Sequence, residues 1–333
     1  MRILLISNYS QSGGGISVQV RSIRSHLQSD GIESTIFSTK GSILLRLAAP
    51  FLLVKEGRGY DVFHIHACSN RGFFPAVVGI LVGKLLKKKI VLTYHGGDAD
   101  AFFARHTKFV KFFLCRVDTN VVLSGFIAKV FDKYDLQYVV IPNGVDVQPG
   151  RFLVRSSIGP RFICIRSHTE IYNIGCILEA YNIVSSRYPE SSLTFLGDGS
   201  LHEELKKRSA DMGLKNVRFA GRVDNSAIYD YLNQADIMLS SPIIDNMPVS
   251  LLEGFNSGLL VISSNVGGVP YMIEDGKNGL LFESGNSKEL ADRILEALSD
   301  YSSYLRMVNN AFDSLQAYSW DNVWRKLRAV YGY

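Results

Sequence analysis

Short apolar runs alternate with longer amphipathic stretches along the whole chain. Ile3–Ile6 is four apolar residues bounded by polar ones, and it predicts a strand. A helix is expected from about Ser17 to Ser29, and a second strand at Glu33–Ser38. Ser42–Glu56 reads as a helix interrupted near Pro50, where the ring removes a backbone donor. The pattern continues with strand Val62–His66, helix Phe74–Leu86, strand Ile90–Tyr94 and helix Phe103–Cys115. Strand Thr119–Ser124, helix Ile127–Tyr134 and strand Tyr138–Ile141 close the first series.

The alternation restarts after Gly150. Strands are expected at Phe162–Ile165, Leu193–Leu196, Val217–Ala220, Ile237–Leu239, Leu259–Ser263 and Leu280–Phe282. Helices separate them, including Gly175–Arg187 and Ser226–Gln234, and the chain is almost wholly helical from Leu290 to its end. Strand–helix alternation of this kind implies parallel sheets with helices on both faces. The expected fold class is therefore α/β, with two Rossmann-like doubly wound domains, 1–147 and 148–309, facing a central cleft. A C-terminal helix over about 310–333 is expected to return to the first domain. Ligands of open parallel sheets bind at the carboxyl ends of the strands.

Composition narrows the class. With 333 residues, 47% hydrophobic and 20% charged, the chain is a two-domain globular protein and not a disordered one. Phe73–Gly83, the longest uncharged apolar run, is about half of what crosses a bilayer. The apolar run within Met1–Ile6 is too short for a signal peptide. Cys68, Cys115, Cys164 and Cys176 have no C-x-x-C spacing, so zinc ribbons and disulfide frameworks are not expected and a reducing compartment is. Residues 1–147 carry 18 Lys and Arg against 10 Asp and Glu, and the remainder 18 against 21. A basic first half suits an anionic surface or substrate, or reflects solvated side chains in chance excess.

The stretch Pro242–Glu253, PIIDNMPVSLLE, holds the most chemistry. Asp245 and Glu253 stand eight positions apart. Pro248 suits the first turn of a helix, Asn246 can serve its free donors, and Gly258 is the expected stop. Glu253 would then lie about 7.5 Å down the helix. A helix N-terminus between two carboxylates is a cradle for phosphate with hydroxyl acceptors at both ends. A nucleotide sugar fits that layout; a buried helix with two solvated acids is the plainer reading. His64-x-His66 puts two rings on one strand face, but no third ligand stands at useful spacing. No metal is expected, and no nucleic acid partner.

A set of motifs runs through the whole chain. It comprises the loop Gly13–Gly15, Thr93-Tyr94-His95-Gly96-Gly97-Asp98 and Ile141-Pro142-Asn143-Gly144-Val145-Asp146. It continues with Leu196-Gly197-Asp198-Gly199, Phe219-Ala220-Gly221-Arg222-Val223, Ala235-Asp236-Ile237 and the Asp245–Glu253 stretch. Ser264-Asn265-Val266-Gly267-Gly268-Val269-Pro270 and Glu274-Asp275-Gly276-Lys277-Asn278-Gly279 complete it. In this order and spacing the set resembles the retaining glycosyltransferases of GT-B architecture, in particular glycosyltransferase family 4 (group 1). Two departures stand out. Asp245 replaces the usual first Glu, and Tyr172 stands where a Lys about six residues after Arg166 is usual. A subset of the family resembles this chain in both respects.

The resemblance implies a metal-independent, retaining hexosyltransferase, acceptor side first and nucleotide-sugar side second. It implies a UDP- or GDP-linked donor and no cofactor. The acceptor would be a glycan or a lipid-linked or polysaccharide intermediate. Catalytic roles fall on His95, Arg166 and Asp245. Donor binding falls on Gly14, Gly15, Arg166, Asp245, Asn246, Met247, Pro248 and Glu253. Asp245 would accept from sugar hydroxyls and Glu253 from the ribose. His95 would contact the transferred sugar, with a general-base role near neutral pH as the alternative. A nucleotide-sugar epimerase of the same fold and a non-catalytic nucleotide-sugar-binding protein stay open. A nicotinamide oxidoreductase does not, since Gly197-x-Gly199 lacks the third glycine. Phe102–Arg116 predicts one helix with Phe102, Phe103, Phe109, Val110 and Phe113 on one face and Arg105, Lys108, Lys111 and Phe112 opposite. With Lys87–Lys89 it fits a protein that is cytoplasmic and peripheral at an anionic inner membrane face. A solvated face of a core helix explains it equally.

Overall fold

Six parallel strands form the first sheet of the computed structural model, which describes residues 1–11, 14–224 and 227–333. They are β1 (Arg2–Ser7), β2 (Glu33–Ser38), β3 (Val62–Ala67), β4 (Lys89–Tyr94), β5 (Thr119–Val122) and β6 (Val139–Val140). Their order is β2-β1-β3-β4-β5-β6. The helices between them are α1 (Gly15–Ser29), α2 (Ile43–Gly57), α3 (Phe74–Leu85), α4 (Ala99–Arg105), α5 (Thr107–Leu114) and α6 (Gly125–Lys133). β3 is buried along its full length, as a strand covered on both faces must be. Phe63 and Ile65 pack into an apolar core with α3, while His64 and His66 face the other way.

The second sheet comprises β7 (Arg161–Cys164), β8 (Ser192–Leu196), β9 (Val217–Gly221), β10 (Ile237–Ser240), β11 (Leu260–Ser264) and β12 (Leu280–Phe282). It runs β12-β11-β10-β7-β8-β9, also all parallel. Its helices are α7 (Ile174–Arg187), α8 (His202–Asp211), α9 (Ile228–Leu232), α10 (Val249–Asn256), α11 (Ser287–Ser299) and α12 (Tyr301–Ser314). The last helix, α13, spans Trp320–Tyr331. The chain divides into two compact units, Met1–Gly144 with Asp321–Tyr333, and Val145–Trp320. Strand order reverses at β1/β3 in the first unit and at β7/β10 in the second, and such switch points are where doubly wound sheets present their binding loops.

Three expectations need correction. α2 runs through Pro50 without a break. Pro50 forfeits one backbone bond, and the burial of Ala49, Leu53 and Gly57 outweighs it. The Phe103–Cys115 segment is two helices, broken at His106 (φ −128°, ψ 34°), where the Thr107 hydroxyl donates to the Phe103 carbonyl at 2.8 Å. The break shifts the helical phase, so Phe102, Phe103, Val110 and Phe113 are buried but Phe109 is 46% exposed. Third, Pro248 is the cap residue of α10 and not its first turn (φ −69°, ψ 113°), so Asn246 lies upstream of the cap. Gly258 follows the end of α10 as expected. Gly13 and Ser226 fall outside the described residues.

Candidate functional site

In the second unit the switch point brings two loops together. β7 ends at Cys164, and Arg166 follows two residues later; β10 ends at Ser240, and Asp245 lies in the loop before α10. The Arg166 guanidinium forms an ion pair with the Asp245 carboxylate. It also donates to Ser250 Oγ at 2.9 Å, in the first turn of α10. Its third neighbour is Tyr172, whose ring centroid is 4.3 Å from the guanidinium carbon. One buried cation thus joins the loop after β7, the loop after β10 and the start of α10. Burial pushes the Arg166 guanidinium below its ordinary value, with Tyr172, Cys164 and Glu253 acting to raise it again. It stays charged at neutral pH, because an arginine does not lose its proton in proteins. Arg166 Nε is buried with no hydrogen-bond partner.

Backbone contacts hold both loops in place. Ser241 Oγ donates to the Tyr172 and Asn173 carbonyls, both at 2.9 Å. The Asp245 side chain accepts from the Asn246 N–H at 2.8 Å, and the Asp245 carbonyl accepts from Gly268 at 2.9 Å. At Gly267, where φ is +54°, a Cβ would stand 2.0 Å from the Asp245 carbonyl oxygen. At Gly197, where φ is +143°, a Cβ would stand 2.1 Å from the Arg166 carbonyl oxygen. Only glycine meets both demands, left-handed backbone and close approach. The Leu196–Gly199 and Ser264–Pro270 motifs therefore brace Arg166 and Asp245.

Glu253 lies on α10, below that pair. Burial pushes its carboxyl up to about 7, with Arg166 and Arg151 opposing the rise. Arg151 stacks over the Tyr229 ring, its guanidinium carbon 3.8 Å from the centroid. Asn256, at the end of α10, donates to the Asp146 carbonyl at 3.0 Å and accepts from the Gln148 N–H at 3.2 Å, which fixes the segment leading to Arg151. Asn246, Met247 and Pro248 are buried.

The first unit presents a different kind of site. His95 directly follows β4, at the carboxyl end of a strand as expected. Its N–H donates to the Ala67 carbonyl at 2.8 Å, and its Nε2 lies 3.0 Å from His66 Nδ1. His64 and His66 share one face of β3, with ring centroids 4.2 Å apart. His64 Nδ1 is 2.7 Å from the Tyr331 hydroxyl of α13, and its Nε2 is 2.8 Å from Thr93 Oγ1. Burial lowers all three histidines: His64 to about 3, His95 to about 4 and His66 well below its ordinary value. All three are neutral at pH 7. The His66–His95 bond then requires one ring to donate and the other to accept, which ties their tautomers together. Gly14 precedes α1 and its carbonyl accepts from Val18 at 3.2 Å; a Cβ at Gly14 or Gly15 would meet nothing within 4 Å.

The structure thus gathers Arg166, Asp245 and the α10 start, with Glu253 on the same helix, in the second unit. It sets His95, Gly14 and Gly15 at strand and helix ends of the first unit. Sequence reasoning missed Ser250, which lies within the Asp245–Glu253 stretch but was given no role, and Arg151 and Tyr229, which belong to no motif. It saw His66 only as half of a metal pair. Among the described residues no group of three or more His, Cys, Asp or Glu is disposed to hold a metal. None of the described helices is long and apolar enough to cross a membrane.

Comparison with known proteins gives the family and the fold. Residues 13–149 match the model of Glycosyltransferase Family 4, and residues 159–314 match that of Glycosyl transferases group 1. A Methanocaldococcus jannaschii protein described as an uncharacterized glycosyltransferase is 24% identical over 293 residues, covering 83% of this chain and 76% of its own. The sulfoquinovosyl transferase SQD2 of Arabidopsis thaliana is 25% identical over 318 residues, covering 85% of this chain, which spans 59% of that relative's length. Anabaena HepE, solved in complex with UDP-glucose, superposes over 99% of both chains with a TM-score of 0.81 at 16% identity. Two parallel six-stranded sheets bearing these two family models place the chain among the GT-B glycosyltransferases of family 4 and group 1.

Proposed function

We propose that the chain is a retaining hexosyltransferase that moves a sugar from a UDP- or GDP-linked donor to a lipid-linked or polysaccharide acceptor. The carrying observation is Arg166, buried among Asp245, Ser250 and Tyr172 at the β7/β10 switch point. HepE has been solved in complex with UDP-glucose, which supports a uridine donor. In the reaction an acceptor oxygen bonds to the anomeric carbon as the carbon–oxygen bond to the diphosphate breaks. The acceptor proton passes to the departing diphosphate. Retention by this front-face route needs no flanking carboxylate pair at roughly 5–5.5 Å, and no metal.

Roles follow from chemistry. Arg166 and the start of α10 offer charge-assisted donors to the diphosphate as its negative charge grows. Asp245 and Glu253 accept from sugar and ribose hydroxyls. The loop Asn246–Pro248, with buried side chains, offers the donor backbone groups. His95, Gly14 and Gly15 keep the roles expected from sequence: a neutral histidine at the transferred sugar and backbone N–H groups at phosphate. With His95 held to about 4, general-base duty near neutrality is the weaker of its two roles.

A thermal-shift panel of UDP, GDP, ADP and NAD tests the donor class. A nucleotide at 100-fold over its dissociation constant adds about 2.7 kcal/mol of stability. UDP or GDP should shift the transition and NAD should not. Proton NMR of the product then reads the anomeric configuration; an inverted product would remove the retaining assignment.

A further inference from the structure

The first unit carries an apolar surface that includes none of the residues assigned to sugar transfer. α2 turns Ala49, Leu53 and Gly57 inward, yet its outer side is apolar too. Ile43, Leu44 and Phe51 are each 78% exposed and Leu47 is 67% exposed. Leu44, Leu47, Phe51 and Lys55 recur at three- and four-residue spacing, so they form one outward stripe that ends in a charge. α3 packs beside α2 and adds exposed Leu81 and Leu85. A contiguous water-facing stripe of this kind marks an interaction surface.

The rim of the stripe is basic. Lys40, Arg46, Lys55 and Arg58 lie on or next to α2, with Glu56 as the acid among them. Lys84, Lys87 and Lys88 flank or follow Leu85, and Lys88 Nζ donates to the Arg58 carbonyl at 3.1 Å, which joins the two basic groups. The first unit as a whole carries 21 Lys and Arg against 10 Asp and Glu, while the second carries 15 against 21.

We propose that α2, with the exposed end of α3, docks the protein on an anionic lipid bilayer. Leu44, Leu47 and Phe51 enter the boundary of the acyl region, and the surrounding Lys and Arg meet lipid phosphates. Charge selects this occupant. A second copy of the chain would bring the same basic rim against this one, and like charges facing each other disfavour association. The contact lies on α2 and not on the α4–α5 segment that sequence pointed to. There the exposed large apolar side chains are only Phe109 and Phe112, and Arg116 covers the Phe112 ring at 3.6 Å. Ion pairing does not separate the two surfaces, since Lys111 pairs with Asp135 at 3.6 Å and Lys84 of the α3 rim with Asp118 at 3.3 Å. The proposal goes beyond donor chemistry: vesicle binding reads this surface, and nucleotide binding reads Arg166 and Asp245.

Co-sedimentation of the full chain with vesicles tests it, using equal parts phosphatidylglycerol and phosphatidylcholine against phosphatidylcholine alone, at low and high salt. Binding to the anionic vesicles should weaken with salt. The double variant Leu47→Glu, Phe51→Glu should bind about a hundredfold more weakly, with an unchanged thermal transition because both side chains face water. Phe51→Trp should keep binding and add blue-shifted emission on anionic vesicles alone. Lys108→Glu, Lys111→Glu should have the smaller effect. Wild-type vesicle binding by the Leu47/Phe51 variant would overturn the proposal. So would failure of the unaltered protein to bind, or a dimer in sedimentation that the double variant dissolves, which would give the face to a second copy.

Discussion

The two units share a sheet design but solve opposite electrostatic problems. On β3 and directly after β4 the first unit holds three neutral histidines, bonded to a tyrosine, a threonine and one another, with His66 Nε2 buried and unpartnered. At the ends of β7 and β10 the second unit buries an arginine against an aspartate, with a glutamate pushed up to about 7 nearby. Neutral groups tolerate burial if hydrogen-bonded, whereas buried ions need partners. In the proposed reaction the difference would correspond to a division of labour: uncharged hydroxyl chemistry at one site, and charge stabilisation at the other.

The largest expected effect separates the units by pH. Buried histidines held at about 3 and 4 are protonated more readily once unfolded. Their stabilising share is present above the ordinary value near 6.5 and is lost as pH falls through the folded values. By pH ~3 the loss is on the order of 3–5 kcal/mol per histidine. Hydrogen exchange at pH 7 and pH 4 should therefore show β3 and β4 amides losing protection before those of β7 and β10. Simultaneous loss in both sheets would break the comparison.

Next comes the cation. Arg166→Ala should lower turnover by about 10²–10³, the scale of removing one preorganised transition-state donor. Arg166→Lys should recover only part, since it keeps charge and loses the planar fork that reaches Asp245 and Ser250 together. Steady-state kinetics decides, and near-normal turnover for Arg166→Ala would leave the start of α10 to act alone.

Glu253 titrates in the opposite sense from the histidines. Its folded value of about 7 lies above the ordinary 4.5, so the folded state holds the proton more tightly. That contribution is full below the unfolded value and is lost as pH rises through the folded one. Glu253→Gln should thus stabilise the protein at pH 8 by on the order of 2–3 kcal/mol and change little at pH 4. Denaturant titrations at the two pH values read this. Glu253→Ala should also weaken nucleotide binding.

The smallest effect is expected at Tyr172. Its ring lies on Arg166, so Tyr172→Phe keeps the stacking face and should change turnover less than about threefold. A large loss would give the hydroxyl a direct role.

Much of this was legible in the sequence because hydrophobic period is a local signal. Glu33–Ser38 is the strand that was read, and the Asp245 loop and the helix carrying Glu253 lie where spacing put them. What stayed hidden depends on contacts between distant segments. Nothing local shows that Arg166 would pair with Asp245, 79 residues away, or that Gly267 exists to let the Asp245 carbonyl pass. α2 misleads for a different reason. A helix apolar on most sides reads as core, and periodicity does not say whether the second apolar face meets protein or water. The break at His106 also lies below the reach of pattern, because its phase shift depends on a single turn.

Asp245→Asn tests the central claim most directly, with donor turnover and nucleoside diphosphate binding measured on the same preparation. Transfer should be lost, because Asn accepts weakly from sugar hydroxyls, while calorimetry should show UDP or GDP binding within about threefold of the unaltered protein. Equal loss of binding and turnover, or full transfer by the variant, would contradict the assignment of Asp245 to the transferred sugar.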